Sequence, residues 1–166
     1  MWEKLKNIIG IIILVSIGLV LLLIFSPLII ISMISDHIEE KKNEKLYLEY
    51  LLKIDGHKFF CYNNRRDCQE FIEKYIIPTL PSEVKLIFLD GRYPKSDYSQ
   101  RFASTLLYKI ENQVGFPYLL KVQHGIVMEK SVNNELYNSL NQGHDIQVLY
   151  NVINKFYQEE YDAQIP

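Results

Sequence analysis

Cysteine is scarce in this chain: Cys61 and Cys68 are the only two. Two thiols are too few for a disulfide framework, and no Cys/His cluster has zinc spacing, so neither a stapled mini-domain nor a zinc module is expected. The four histidines, His37, His57, His124 and His144, are scattered and predict no metal site. No N-x-S/T sequon occurs, and no cofactor is expected. An excess of charge of one sign is also lacking. The 18 basic and 20 acidic side chains leave a net charge of −2 and a pI near 6.1, without the electrostatic footprint of a nucleic-acid binder. The twelve Tyr and eight Phe fall mostly at core-facing periods and form no stacking platform for bases.

Charge is missing altogether between Ile8 and Ile34, a run of Ile, Leu and Val. A bilayer core about 30 Å thick needs roughly 20 helical residues, so this stretch is long enough to span. Ser26-Pro27 in its distal third marks a kink or the edge of the hydrocarbon zone. A cleaved signal peptide is the competing reading. The apolar run far exceeds a signal's hydrophobic region of about 7–15 residues, and no A-x-A-like site follows, which favours a retained anchor over residues 1–35. The lipid bilayer is then a partner through residues 8–34. Lys4 and Lys6 precede the run, while Lys41, Lys42 and Lys45 follow it among Asp36, Glu39 and Glu40, so basic residues nearly balance. The short basic tail predicts a signal anchor with the N-terminus cytoplasmic and the domain extracytoplasmic.

Residues 36–56 read as a juxtamembrane stalk or hairpin. Residues 36–50 are charged with periodic Leu and Tyr, Leu46–Ile54 is open between helix and strand, and Asp55-Gly56 between apolar runs is a hairpin signal. A domain is expected over 57–162. Lys58–Tyr62 is a strand. Pro78 and Pro81 end the helix that follows, and Val84–Leu89 is a second strand closed by Asp90-Gly91. Tyr93–Ser96 reads as loop and Tyr98–Gln113 as helix. Tyr118–Val122 and Ile126–Lys130 form a hairpin about His124-Gly125. Asn133–Gly143 is a polar connection with room for a short helical turn. Asp145–Tyr161 is amphipathic, with Ile146, Leu149, Tyr150 and Ile153 on one stripe. Strand–helix–strand implies a right-handed crossover and a parallel pair, and the late hairpin adds antiparallel strands. The fold class is α/β, a mixed central sheet flanked by helices.

Cys68 is the residue of greatest chemical interest. Asp67 and Glu70 have capping-box spacing, and Phe71, Ile72, Tyr75 and Ile76 follow at helical period. That places Cys68 in the first turn of a helix, near free backbone N–H groups and downstream of Arg65 and Arg66, where thiolate is favoured. Arg65-Arg66 reads either as solvated loop charge or as an anion site. Cys61 is either a small buried strand residue or a partner for Cys68, depending on which face of its strand it occupies.

Two segments resemble the thioredoxin family. In Val114-Gly115-Phe116-Pro117-Tyr118-Leu119-Leu120-Lys121-Val122-Gln123-His124-Gly125-Ile126-Val127, a small residue, an apolar residue and a proline lead into a strand, a Gly turn and a return strand. Phe59-Phe60-Cys61-Tyr62-Asn63-Asn64-Arg65-Arg66-Asp67-Cys68-Gln69-Glu70-Phe71 matches that family's strand, redox loop and helix in spacing. The resemblance covers roughly residues 57–160 and implies a thioredoxin-like fold in which Pro117 is the cis-proline and Phe116 offers its backbone to an extended substrate. It places Cys68 at the second, resolving cysteine of C-x-x-C and Arg65 at the first, nucleophilic one. Arginine cannot attack a disulfide, so ordinary dithiol exchange is absent. A redox-degenerate, membrane-anchored domain that binds protein or peptide near Phe116 and Pro117 is therefore expected rather than an enzyme. The alternative is a thiol-disulfide oxidoreductase or redox sensor using Cys61 and Cys68, or Cys68 alone.

Overall fold

The computed structural model describes residues 2–142 and 145–159. Two compact units divide the chain, 1–46 and 47–166. Helix α1 covers Trp2–Lys53 and contains Pro27. In the first unit apolar side chains such as Ile11, Leu14, Leu22 and Leu23 are exposed. This helix is long and apolar enough to cross a membrane.

The second unit is a five-stranded mixed sheet in the order β3-β2-β1-β4-β5. Strand β1 (Lys58–Asn63) runs parallel to β2 (Val84–Asp90), with Phe60 opposite Leu86 and Cys61 opposite Ile87. Between them lie α2 (Arg66–Phe71), a π-helical turn over Ile72–Ile76 and a 3₁₀ turn over Ile77–Thr79. On the other side of β1, β4 (Tyr118–Gln123) is antiparallel, with Cys61 opposite Tyr118. β5 (Ile126–Ser131) returns along β4 after a two-residue turn in which His124 has φ 54° and Gly125 φ 72°. Paired positive φ values are what a type I′ hairpin needs.

The chain departs from the expected layout in several places. Leu51–Lys53 continue α1, and Gly56, at φ 81°, turns directly into β1, so Leu51–Tyr62 is no hairpin. Tyr93–Lys95 is not loop but a short edge strand, β3, antiparallel to β2. Helix α3 is shorter than expected, Gln100–Tyr108: Ser99 sets its start by accepting from the Phe102 N–H at 3.3 Å, and Lys109, at φ −81° and ψ 3°, leaves the helical region at its end. The polar stretch after β5 is a full helix, α4 (Asn133–Gln142). Helix α5 (Ile146–Gln158) starts where Asp145 accepts from the Gln147 N–H at 2.9 Å. It ends at Gln158, short of the expected span, because Glu159 is extended at ψ 123°; positions 160 and 161 lie outside the described residues.

Alternation along the central strands sorts the core into two layers. Phe59, Cys61, Ile87, Tyr118, Leu120 and Val122 face one side, where Tyr47 and Leu51 of α1 and Phe102 and Leu106 of α3 cover them. Phe60, Tyr62, Val84 and Leu119 face the other, covered by Ile72 and Ile76, Leu136 of α4, and Leu149 and Ile153 of α5. Buried Lys121 belongs to this second side. Its ammonium donates to the Glu159 carbonyl just beyond α5 and lies 5.3 Å from the Phe156 ring centroid, which pins the end of that helix.

Candidate functional site

Cys68 lies on the helical stripe Cys68, Ile72, Ile76, and that spacing turns its side chain into the second core layer. The helix begins two residues earlier than the capping box Asp67/Glu70 predicts. Arg65 is the N-cap and makes no side-chain cap bond, and Arg66 is the first helical residue. The Cys68 N–H is not free for a ligand, because it donates to the Arg65 carbonyl at 3.0 Å. The thiol is only 4% exposed and donates to the Tyr137 hydroxyl at 3.1 Å. The Arg65 guanidinium lies 5.5 Å from the centroid of the same tyrosine ring. The hydrogen bond with Cys68 and then burial hold the Tyr137 phenol above its ordinary range, while the nearby Arg65 works in the opposite direction. Arg65, Cys68 and Tyr137 thus form one cluster at the start of α2.

Cys61 is not part of it. It is fully buried in the first layer, beside Phe59 and opposite Tyr118, and burial pushes its thiol pKa well up. Both cysteines are free, and the sheet lies between them. The strand face that Cys61 occupies decides the point: it shares the side of Phe59, away from Tyr62 and Cys68.

The Phe116–Pro117 peptide bond is cis. Phe116 is half-buried against the first layer and meets the Tyr118 ring edge-on, with centroids 5.2 Å apart. Pro117 is buried, and its carbonyl accepts from the Val132 N–H at 3.0 Å. Gly115 has φ 133°, and a β-carbon there would come within 3.2 Å of the Asn133 side chain. Asn133 and Tyr137 are one turn apart on α4, so this helix reaches the Pro117 segment with one residue and the Cys68 cluster with the next. The sequence reading missed both residues. Their i, i+4 spacing and Leu136 between them were the available signal.

Among the described residues, no group of three His, Cys, Asp or Glu side chains is placed to hold a metal ion. Comparison with family models, with curated proteins and with solved structures yields no match. What the fold and site define is therefore a class: a mixed α/β domain following an apolar helix long enough to cross a membrane.

Proposed function

We propose that this chain is a membrane-anchored, thioredoxin-like domain that has lost dithiol chemistry and binds protein or peptide segments beside Phe116 and Pro117. Support for the thioredoxin-like part comes from the parallel β1–β2 pair joined through α2, the antiparallel β4–β5 hairpin, and Pro117 immediately before β4. The sheet also carries the short edge strand β3, antiparallel to β2. The residues 8–34 anchor the domain in the bilayer, with Lys4 and Lys6 held on the cytoplasmic side and the domain outside the cytosol.

One observation carries the loss of redox function. The Cys68 thiol is engaged with Tyr137 under Arg65, and the other cysteine is on the far side of the sheet. A thiolate attack needs access and a resolving partner, and neither is in place. The test is a pair of measurements on the full chain in lipid nanodiscs. A fluorescein-labelled, reduced and S-carboxymethylated polypeptide should bind, read by anisotropy, and Pro117→Ala should weaken it about tenfold. Insulin disulfide reduction should stay at the uncatalysed rate. Catalysed reduction abolished by Cys68→Ser would instead establish the thiol-disulfide oxidoreductase reading.

A further inference from the structure

The chain leaves α3 after Tyr108 and reaches β4 at Tyr118 through a segment whose backbone polar groups must find partners outside a ladder. Side chains of the hairpin supply them. Glu129, on β5, accepts the Asn112 N–H at 2.8 Å and the Glu111 N–H at 3.2 Å, one with each carboxylate oxygen. Ser131 lies two residues along and so on the same face; it donates to the Gly115 carbonyl at 2.6 Å. Tyr118 stands opposite Ser131 in register, and its hydroxyl accepts the Gly115 N–H at 2.9 Å and donates to the Asn112 carbonyl at 3.1 Å. All of these bonds are made to the main chain of the loop. Its side chains from Glu111 to Val114 are exposed, Val114 by 48%.

A loop fixed through its backbone and free in its side chains has the construction of a recognition element: the scaffold sets shape, and the outward residues set what is recognised. We propose that Glu129 is the positioning residue of this loop, and that Gln113 and Val114 are the side chains it presents to an extended polypeptide. The proposal rests on the peptide-binding reading above. Glu129 is the decisive anchor because an ionised acceptor bonded to two adjacent N–H groups is roughly twice as strong per bond as a neutral one. It also holds the half of the loop farther along the chain from β4. A loop ordered beforehand loses less freedom on binding, so loosening it weakens the complex.

The experiment uses the full chain in nanodiscs with the carboxymethylated polypeptide as probe. Glu129→Gln keeps the side chain's size and one acceptor oxygen; Glu129→Ala removes both. Amide exchange at Glu111 and Asn112 should accelerate about tenfold in the glutamine variant and further in the alanine variant. Exchange at Phe60 and Leu119, and the melting temperature of Glu129→Gln, should stay put. Probe affinity should fall about tenfold in Glu129→Gln, and Val114→Ser should lower affinity without altering loop exchange. Unchanged exchange at Glu111 and Asn112 sinks the positioning role, and the glutamine variant decides this should the alanine variant not fold. Faster loop exchange with undiminished affinity overturns the recognition role. A native protein that never binds the probe overturns both the recognition role and the peptide-binding reading, whereas the exchange result still reports whether Glu129 anchors the loop.

Discussion

Tyr157 places its hydroxyl inside the core and donates to the Phe59 carbonyl at 2.8 Å, tying α5 to the central strand. Burial drives its pKa well up, and it pushes Tyr47 up to about 12. Cys61 is raised for the same reason. In each case the folded protein keeps a proton that the unfolded chain gives up, from about pH 8.5 for the thiol and about pH 10 for the phenols. Above those values the unfolded state binds fewer protons than the native one, so unfolding free energy falls as pH rises; below them the contribution is complete. Urea titrations should therefore give a stability that is level near neutrality and declines in alkali. Tyr157→Phe should lose about 1 kcal/mol at pH 7 and show a shallower alkaline decline. A decline as steep in the variant as in the native protein would remove Tyr157 from the set of responsible groups. The Cys68 cluster teaches a different lesson at this scale. Its thiol was visible in the sequence, but Tyr137 is far along the chain, and nothing local to Arg65 or Cys68 announces it.

At the scale of elements, the hairpin turn is the most exacting piece of backbone. Gly125 has φ 72°, and a β-carbon there would meet the Leu52 side chain at 3.0 Å. Leu52 is exposed and its tip can yield, so conformational strain governs the outcome. Gly125→Ala should destabilise by about 1–2 kcal/mol in denaturant titration, and adding Leu52→Ala should recover little of it. Full recovery would make the clash the cause. Elements with strong periodicity or a turn signal could be read from the chain: β1, β2, the β4–β5 hairpin with its His124-Gly125 turn, and the α5 start at Asp145. Others carry no such signal. Strand β3 is three residues long with Pro94 at its centre, acceptable only because it lies at a sheet edge. Helix α4 opens Asn133-Asn134 and has Asn138 and Asn141 further along, poor helix formers held in place by Leu136 in the core. The last turns of α1 override the Asp55-Gly56 hairpin signal because Tyr47 and Leu51 have a sheet face to cover.

Taken as a whole, the molecule joins two regions that want different solvents. Helix α1 exposes apolar side chains through the first unit, which water alone does not accommodate, while the second unit buries its own in two layers. The chain should remain with membranes through alkaline carbonate extraction. Leu14→Arg with Leu22→Arg should release it to the supernatant, each arginine costing about 2.5–3.5 kcal/mol at mid-bilayer. Retention of the double variant would rule out insertion of this helix as the source of membrane association. The sheet has a further consequence. It divides the folded unit into two chambers, and each chamber holds one native thiol, Cys61 in one and Cys68 in the other. The molecule is born with a reporter in each half of its interior, so the order in which the halves open is written in the order in which its two thiols become reachable.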